Sequence, residues 1–241
     1  MRRRYLCGAF VGVLVMAAAL SATTGGATPS LRHGRMHRIT NSTSTNWSGY
    51  AVTGGRYTSV SASWTEPTAK CSGTAYSSFW VGLDGDTSNT VEQTGTDADC
   101  SGSTPQYYAW YEMYPKYPVN FGNTVRPGDK MTASVTTTGS GSFTLTISDT
   151  TRGWTKTTNA RLKSAKLSSA EVIAEAPSSS SGVLPLANFG TVSFTGAKAN
   201  GSLLTSSTPG IDPITMANGS TVKAQPGSIS SGAFSVTWKH S

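Results

Sequence analysis

Short stretches of alternating apolar and polar residues recur along the chain from about residue 46 onward. Phe143, Leu145 and Ile147 alternate with Thr and Ser residues. An alternation of period two places the apolar side chains on one face of a strand and the polar ones on the other. Residues 131–135 and 234–238 alternate in the same way. The pattern predicts amphipathic β-strands packed against a common core.

Turn-forming residues separate these stretches. Gly139-Ser140-Gly141 lies between the alternating residues 131–135 and 143–147 and predicts a hairpin. Arg126-Pro127-Gly128-Asp129 predicts a further turn. No stretch has a sustained helical period with caps at both ends. The sequence therefore predicts an all-β fold, an antiparallel β-sandwich formed as one domain by residues 46–241.

The N-terminal region has a different pattern. Three arginines precede an apolar run over residues 6–20, and small residues follow up to Ala27. This arrangement is typical of a secretory signal peptide, and 15 apolar residues are too few to span a bilayer comfortably. We predict a signal peptide at residues 1–27, a basic pro-segment or linker at 28–45, and a secreted, extracellular protein that does not associate with a membrane after signal removal.

The positive net charge of +7 belongs mainly to this N-terminal region. Six of the 19 Lys and Arg residues precede Asn46, whereas all 12 Asp and Glu residues follow it. The remainder thus carries 13 basic and 12 acidic residues, a formal charge of +1. A nucleic-acid surface requires clustered basic residues, so the domain is not expected to bind nucleic acid.

Two cysteines remain after the signal peptide is set aside. Cys7 lies inside it, which leaves Cys71 and Cys100. In an oxidising compartment such a pair is expected to form a disulfide. Closing that loop would stabilise the fold by about 3–4 kcal/mol on the chain-entropy estimate.

The residue inventory excludes several kinds of catalysis. His33 and His37 lie in the predicted pro-segment and His240 is the penultimate residue, so a Ser-His-Asp or Cys-His arrangement is not expected. Zinc sites require His or Cys at short spacings that the chain lacks. Calcium could bind near Asp84 or Asp97, although turn formation explains these acids better. We expect no metal and no cofactor, so a carboxylate would have to activate water if the protein is an enzyme.

Six segments, in order, resemble the glutamic peptidases, the eqolisin family of fungal and bacterial acid proteases. They are Asn46-Trp47-Ser48-Gly49, Trp80-Val81-Gly82-Leu83-Asp84-Gly85-Asp86, Glu92-Gln93-Thr94-Gly95, Tyr107-Tyr108-Ala109-Trp110-Tyr111-Glu112 with Tyr114-Pro115, Ala170-Glu171-Val172-Ile173-Ala174-Glu175, and Val183-Leu184-Pro185-Leu186-Ala187-Asn188-Phe189. The resemblance implies two antiparallel sheets with a concave substrate cleft and a secreted acid endopeptidase.

The resemblance also implies a catalytic pair, Gln93 and Glu175. Ionised Glu175 would take a proton from water, and the Gln93 amide would donate a hydrogen bond to the developing oxyanion. A strand glutamine alone is more often a surface or cross-strand partner. Alternation places Glu171 on the same strand face as Glu175, and we expect Glu171 to be dispensable for the chemical step.

The matching segments contain five further residues that the family places near its cleft. Strand aromatics more often belong to the core, which is the alternative for the Trp and Tyr residues among them. The candidate substrate-binding residues are Trp47, Trp80, Asp84, Tyr111 and Glu112. Tyr108 stands where the fungal enzymes carry an acid, so the contacts of that acid must be lost or replaced.

The basic residues before the domain suggest an inhibitory pro-segment. Arg32, Arg35 and Arg38, with His33 and His37, form a cationic segment that could lie against cleft carboxylates. We hypothesise that acidification leads to its autocatalytic removal. A disordered linker trimmed by other proteases is the alternative.

A secreted carbohydrate-binding β-sandwich without catalysis, or a structural or adhesive domain, would explain the strands and the disulfide equally well. Neither explains Gln93 and Glu175 in those contexts. We therefore expect a monomer that acts on protein or peptide substrates.

Overall fold

A computed structural model describes residues 31–40 and 42–241. These residues form nineteen strands and no helix, which confirms the all-β prediction. The predicted signal peptide lies outside the described residues. In chain order the strands are β1 (Arg38–Thr40), β2 (Thr43–Ser44), β3 (Trp47–Thr53), β4 (Ser59–Thr65), β5 (Ser78–Leu83), β6 (Val91–Ser101), β7 (Thr104–Tyr114), β8 (Val119–Asn120), β9 (Lys130–Thr137), β10 (Ser142–Asp149), β11 (Trp154–Arg161), β12 (Ser169–Glu175), β13 (Ser178–Ser179), β14 (Gly182–Val183), β15 (Thr191–Ala199), β16 (Ser202–Leu203), β17 (Ile211–Asn218), β18 (Thr221–Pro226) and β19 (Phe234–Trp238).

Apart from β13 and β14, which form a separate two-stranded sheet, the strands are arranged in two layers. The first, which we call the cleft sheet, has the antiparallel order β17-β3-β12-β5-β6-β7-β8. The second, the back sheet, has the order β11-β10-β9-β4-β15-β19-β18-β17-β2-β1, with β16 beside β15. Its β2–β17 pair is parallel, and β17 takes part in both layers. The predicted antiparallel β-sandwich is confirmed.

The main core lies between the two sheets. Phe143, Leu145 and Ile147 are buried, as their alternation with polar residues predicts. Leu145 lies opposite Val135 in the hairpin of β9 and β10, which the Gly139-Ser140-Gly141 turn connects. On the other side of the core, β5 and β6 of the cleft sheet pack against β9. Burial of one apolar face of each sheet therefore holds the sandwich together.

The cleft sheet is buried on its second face as well. Every residue of β12 and all but the last residue of β6 are buried. A second apolar cluster, separate from the main core, includes Trp47, Trp80, Trp110 and Ile173. We call the side of the sheet that carries this cluster the cleft face.

The predicted disulfide between Cys71 and Cys100 is confirmed. The two Cα atoms lie 5.3 Å apart and the residues are 29 positions apart in sequence. The bond ties the segment before β5 to the end of β6, two residues from Ala98 in the main core. Across residues 31–40 and 42–241, no helix has the length and apolar character needed to cross a bilayer.

Candidate active site

The register of the cleft sheet places Gln93 and Glu175 on the same face. Strand β5 lies between β12 and β6, with Ser78 opposite Glu175 and Gly82 opposite Gln93. Residues directly opposite each other in an antiparallel pair project to the same side, and so do residues separated by an even number along one strand. Ser78 and Gly82 are four residues apart, so both candidate side chains project from the cleft face. Glu112 lies opposite Gln93 on β7 and shares that face.

Gly95 makes room for the neighbouring indole. A Cβ at this position would lie 2.3 Å from the carbonyl oxygen of Phe79 and 2.5 Å from Cβ of Trp80. Any side chain there would displace β5 and the Trp80 ring. The glycine of the Gln-Thr-Gly triplet therefore has a packing role beside the candidate site.

A segment of the predicted pro-segment lies across the cleft face. We call residues 32–38 the strap. At one end, Arg32 and Ser178 exchange two backbone hydrogen bonds of 2.9 Å. Near the other end, the Met36 amide donates to the carbonyl of Gly85 at 3.1 Å, and the Met36 side chain is buried in the cluster on the cleft face. The strap is therefore part of the folded structure.

Asn46 joins the strap to Glu175. Its Nδ2 donates to the Arg35 carbonyl at 3.1 Å, and its Oδ1 accepts from the His37 amide at 2.7 Å. The same Nδ2 lies 3.3 Å from Oε1 of Glu175. One side chain thus fixes the strap backbone and contacts the candidate catalytic carboxyl.

Gln93 and Glu175 contact the two ends of one peptide group in the strap. Gln93 Nε2 donates a hydrogen bond to the carbonyl oxygen of His33. The amide of Gly34, on the other side of the same peptide bond, donates to Glu175 Oε1 at 3.1 Å. Trp80 Nε1 donates to Glu175 Oε2 at 2.8 Å, so both carboxyl oxygens have donors. The two candidate side chains therefore face each other across a single peptide bond.

The environment of Glu175 favours its protonated form. Burial is the largest cause and raises the pKa of Glu175 well above its ordinary value. The charge of His33 lowers that pKa, the charge of Glu112 raises it, and the hydrogen bonds from Trp80 and Asn46 lower it. A carboxyl balanced in this way can both accept and return a proton.

The imidazole of His33 occupies a site built from an indole and two carboxyls. Its ring stacks on Trp110 with the centroids 3.7 Å apart and the planes 3° from parallel. Nδ1 lies 3.2 Å from Glu112 Oε2, and Nε2 lies 3.1 Å from Asp97 Oδ2. Burial alone lowers the pKa of His33, but the charges and hydrogen bonds of Asp97 and Glu112 raise it well above the ordinary value. The site therefore favours an imidazolium that donates from both nitrogens.

Tyr108 connects this site to a second acid. Its hydroxyl lies 2.8 Å from Asp97 Oδ2 and 2.7 Å from Asp99 Oδ2. A hydroxyl has one proton, so it cannot donate to both carboxylates at once. Burial and the charge of Asp97 raise the pKa of Asp99 well above its usual range, which lets a protonated Asp99 donate to the tyrosine. Tyr108 thus donates to Asp97 and accepts from protonated Asp99.

Three of the five predicted substrate-binding residues contact the strap or Glu175. The Trp47 indole donates to the carbonyl of Gly34 at 3.0 Å. Trp80 donates to Glu175, and Glu112 accepts from the His33 amide at 2.9 Å. Trp47 and Trp80 also pack edge to face, with ring centroids 4.9 Å apart.

The other two predicted residues lie elsewhere. Asp84 accepts backbone hydrogen bonds from residues 166, 167 and 168 at 2.7–2.8 Å, so it fixes the turn before β12. Tyr111 projects to the side opposite Glu112 and packs against the ring of Phe121, with centroids 5.7 Å apart. Among the described residues, no group of three or more His, Cys, Asp or Glu side chains is placed to hold a metal ion.

The sequence-based set of site residues did not include Asp97, Trp110 or Asn46. Asp97 is four residues after Gln93, so strand alternation could have placed it on the same face. Trp110 and Asn46 lie inside segments that carried the family resemblance. Their contacts with His33 and with the strap backbone could not be read from the sequence because they depend on where the strap lies.

Comparison with known proteins identifies the family. Residues 45–238 match the model of the Peptidase A4 family, which is most of the chain. The chain belongs to that family. This confirms the resemblance to the glutamic peptidases inferred from the six segments.

This Peptidase A4 chain is similar in sequence to two curated relatives and in fold to a solved structure. It is 32% identical to Aspergillopepsin-2 of Aspergillus niger over 181 residues, which cover 65% of this chain and 64% of that protein. It is 39% identical to Scytalidopepsin B of Scytalidium lignicola over 110 residues, 45% of this chain and 41% of that protein. The chain thus spans less than two thirds of either relative. The fold matches scytalido-glutamic peptidase, solved with a transition state analog inhibitor, with a TM-score of 0.72 and 28% identity over 81% of this chain and 98% of that one.

Proposed function

We propose that this protein is a secreted acid endopeptidase in which Gln93 and Glu175 activate water. The observation that carries the proposal is the peptide group held between the two side chains. Gln93 donates to its carbonyl oxygen and Glu175 accepts from its amide nitrogen. When a peptide bond is hydrolysed, negative charge develops on the carbonyl oxygen and the leaving nitrogen gains a proton. The two side chains contact these two atoms.

The chemistry uses one carboxyl twice. The raised pKa leaves a minor ionised fraction of Glu175 in acid, and this fraction takes a proton from water. The resulting hydroxide adds to the carbonyl carbon. The Gln93 amide donates a hydrogen bond to the oxyanion that forms. Glu175 then returns the proton to the nitrogen as the carbon–nitrogen bond breaks. Hydrogen bonds from Trp80 and Asn46 hold the carboxyl in one orientation throughout.

The family supports this assignment of substrate class. A transition state analog inhibitor is bound in the solved scytalido-glutamic peptidase, whose fold this chain shares. We extend peptide hydrolysis to this chain on that basis and on the peptide group at the two side chains. Export is part of the proposal: the leader at residues 1–27 would be removed, and the Cys71–Cys100 disulfide suits an oxidising compartment.

The direct test is casein digestion at pH 3.5 and pH 7 by the full chain and three variants. We expect digestion at the acid pH, loss of digestion in Glu175→Gln, and a loss of about 100–1,000-fold in Gln93→Ala, the usual effect of removing one oxyanion donor. Pepstatin, which targets aspartic dyads, should not inhibit.

The matched control is Glu171→Gln. Glu171 lies on the same strand face, is fully buried, and has a pKa raised well above its ordinary value by burial. It makes no contact with the strap peptide bond, so its variant should digest casein within a few-fold of wild type. Equal losses in Glu171→Gln and Glu175→Gln would contradict the assignment of Glu175.

A further inference from the structure

The strap presents one particular bond of the chain to the proposed catalytic pair. The carbonyl that Gln93 contacts belongs to His33, and the amide that Glu175 contacts belongs to Gly34. In hydrolysis the residue that supplies the carbonyl becomes the new C-terminus. His33 therefore occupies the position of the residue on the acyl side of a scissile bond, and Gly34 the position of the leaving side.

The surroundings of Gly34 fix its backbone and place the Tyr114 ring beside its α-carbon. Its carbonyl accepts from the Trp47 indole at 3.0 Å, so both polar backbone atoms of Gly34 have partners in the cleft. A Cβ at Gly34 would lie 3.4 Å from the Tyr114 ring. The leaving side of the bond is therefore held by main-chain contacts.

The acyl side is held by its side chain. The His33 ring is 1% exposed, lies flat on Trp110, and meets a different carboxyl at each nitrogen. Asp97 and Glu112 are themselves fully buried. A flat ring with a donor at each end matches this site. An aliphatic side chain would leave two buried carboxyls without that partner, and a site built for hydrogen bonds rejects ligands that lack them.

We propose that this cleft cleaves after histidine, that Asp97, Glu112 and Trp110 form the subsite that selects it, and that His33–Gly34 is such a bond in the chain itself. The inference rests on the proposed peptidase function. In the reaction, the water oxygen bonds to the carbonyl carbon of His33, the bond from that carbon to the Gly34 nitrogen breaks, and Glu175 transfers the water proton to that nitrogen. The products are a His33 carboxyl and a Gly34 amine, and nothing is oxidised or reduced.

Self-cleavage gives the first test. The purified full chain is incubated at pH 4 in water enriched in ¹⁸O, and its fragments are mapped by mass spectrometry. We expect a fragment that ends at His33 with ¹⁸O in its new carboxyl, and a fragment that begins at Gly34. His33→Leu should slow this cut by roughly 100-fold, because the leucine satisfies neither carboxyl. His37→Leu is the matched control, since the His37 ring lies outside the subsite, and it should still be cut after His33.

Peptide selectivity gives the second test and does not depend on the strap variants. Quenched peptides that differ only in the residue before a glycine (His, Gln, Lys or Leu) are compared by kcat/KM. We expect His to exceed Leu by roughly 10-fold or more in the wild type, and the ratio to fall toward one in Asp97→Asn. Because a ratio within one variant is compared, partial misfolding of Asp97→Asn does not alter it.

The outcomes of these tests distinguish failure of the histidine subsite from failure of the proposed peptidase function on which it rests. A chain that digests casein in a Glu175-dependent way, yet cleaves Leu peptides as well as His peptides, would overturn the histidine subsite and leave the peptidase function standing. Glu175-dependent casein digestion with no cut at His33–Gly34 would overturn the assignment of that bond. Absence of any Glu175-dependent proteolysis would overturn both.

Discussion

The indole nitrogen of Trp80 donates a hydrogen bond of 2.8 Å to Oε2 of Glu175, from the strand that separates Glu175 from Gln93. Strand β5 thus supplies the group that orients the carboxyl, in addition to spacing the two candidate catalytic residues. A hydrogen bond to a charged acceptor favours the ionised form and lowers the pKa of the acid. This contact opposes the burial that raises the pKa of Glu175.

Replacing Trp80 with phenylalanine should therefore lower the fraction of Glu175 that is ionised at acid pH. The phenyl ring keeps aromatic packing against Trp47 but has no N–H to donate. Hydrogen bonds to charged groups contribute about 1.5–3 kcal/mol, so losing this one should raise the pKa of Glu175 further. The acid limb of the pH profile of kcat should move to higher pH, as measured with a quenched peptide.

Trp47→Phe is the control for this prediction. The Trp47 indole donates to the backbone of Gly34 and makes no hydrogen bond to the carboxyl. Its loss should raise KM without moving the acid limb of the profile. An unmoved limb in Trp80→Phe, or an equal shift in both variants, would show that the indole hydrogen bond does not set the pKa of Glu175.

The sequence predicted the layers of this fold better than its site. Alternation identified β9 and β10 because each has one face in the core and one in solvent. The cleft sheet has no such alternation, because β6 and β12 are buried on both faces. Gln93 and Glu175 were found there through their family segments. Their position across one peptide bond depends on the register of β5 and could not be inferred from either segment.

The same limit applies to the strap. Its positive charge predicted attraction to cleft carboxylates, and His33 does lie between Asp97 and Glu112. Charge alone did not distinguish His33 from the arginines, of which Arg35 is exposed. Stacking on Trp110 and contacts at both ring nitrogens distinguish His33 from the arginines. These contacts depend on where the fold places the ring, which the sequence does not show.

Stability should be greatest in acid and should fall as the pH rises. Ten of the 12 acids are buried, and burial raises the pKa of Glu66 to about 8 and that of Glu92 to about 9. The ordinary value for both is 4.5, so between these limits the folded state binds protons that the unfolded state has released. The free energy of unfolding then falls by about 1.4 kcal/mol per pH unit for each such proton.

The melting temperature at pH 4, 6 and 8 tests this. The stabilisation that comes from protonated Glu66 and Glu92 is complete below about pH 4.5 and is lost as the pH rises through the folded-state values. His33 acts in the same direction, since its raised pKa stabilises the fold at acid pH. Glu66→Gln, which cannot ionise, should show a shallower decline. A melting temperature that rises from pH 4 to pH 8 would contradict the prediction.

Removing the disulfide should destabilise the protein without changing its chemistry. Cys71 and Cys100 close a loop of 29 residues, and such a loop contributes about 3–4 kcal/mol by limiting the unfolded chain. The double variant Cys71→Ser/Cys100→Ser should therefore unfold at a lower denaturant concentration, with an m-value at or above that of the wild type because its unfolded chain is less compact. Its kcat on peptides should match the wild type below the unfolding transition, because neither cysteine contacts Gln93 or Glu175. A wild-type midpoint in the double variant would show that the loop is already restricted without the bond.

Weakening the far end of the strap should increase access to the cleft. Arg38 pairs with Asp86, whose side chain is fully buried, and lies 3.7 Å from Asp212. These contacts are on the leaving side of the His33–Gly34 bond and do not involve Glu175. Because the Arg38 side chain is one third exposed, the pair contributes only about 0.5–1 kcal/mol, so Arg38→Ala should raise the open fraction about two- to five-fold. Arg35 is exposed and provides the matched control, since Arg35→Ala removes an equal charge from the same strap.

The initial rate on a small quenched peptide, recorded before any strap cleavage, should rise in Arg38→Ala and stay at the wild-type level in Arg35→Ala. Equal rates in the two variants would mean that net charge, rather than the Arg38–Asp86 contact, holds the strap in place.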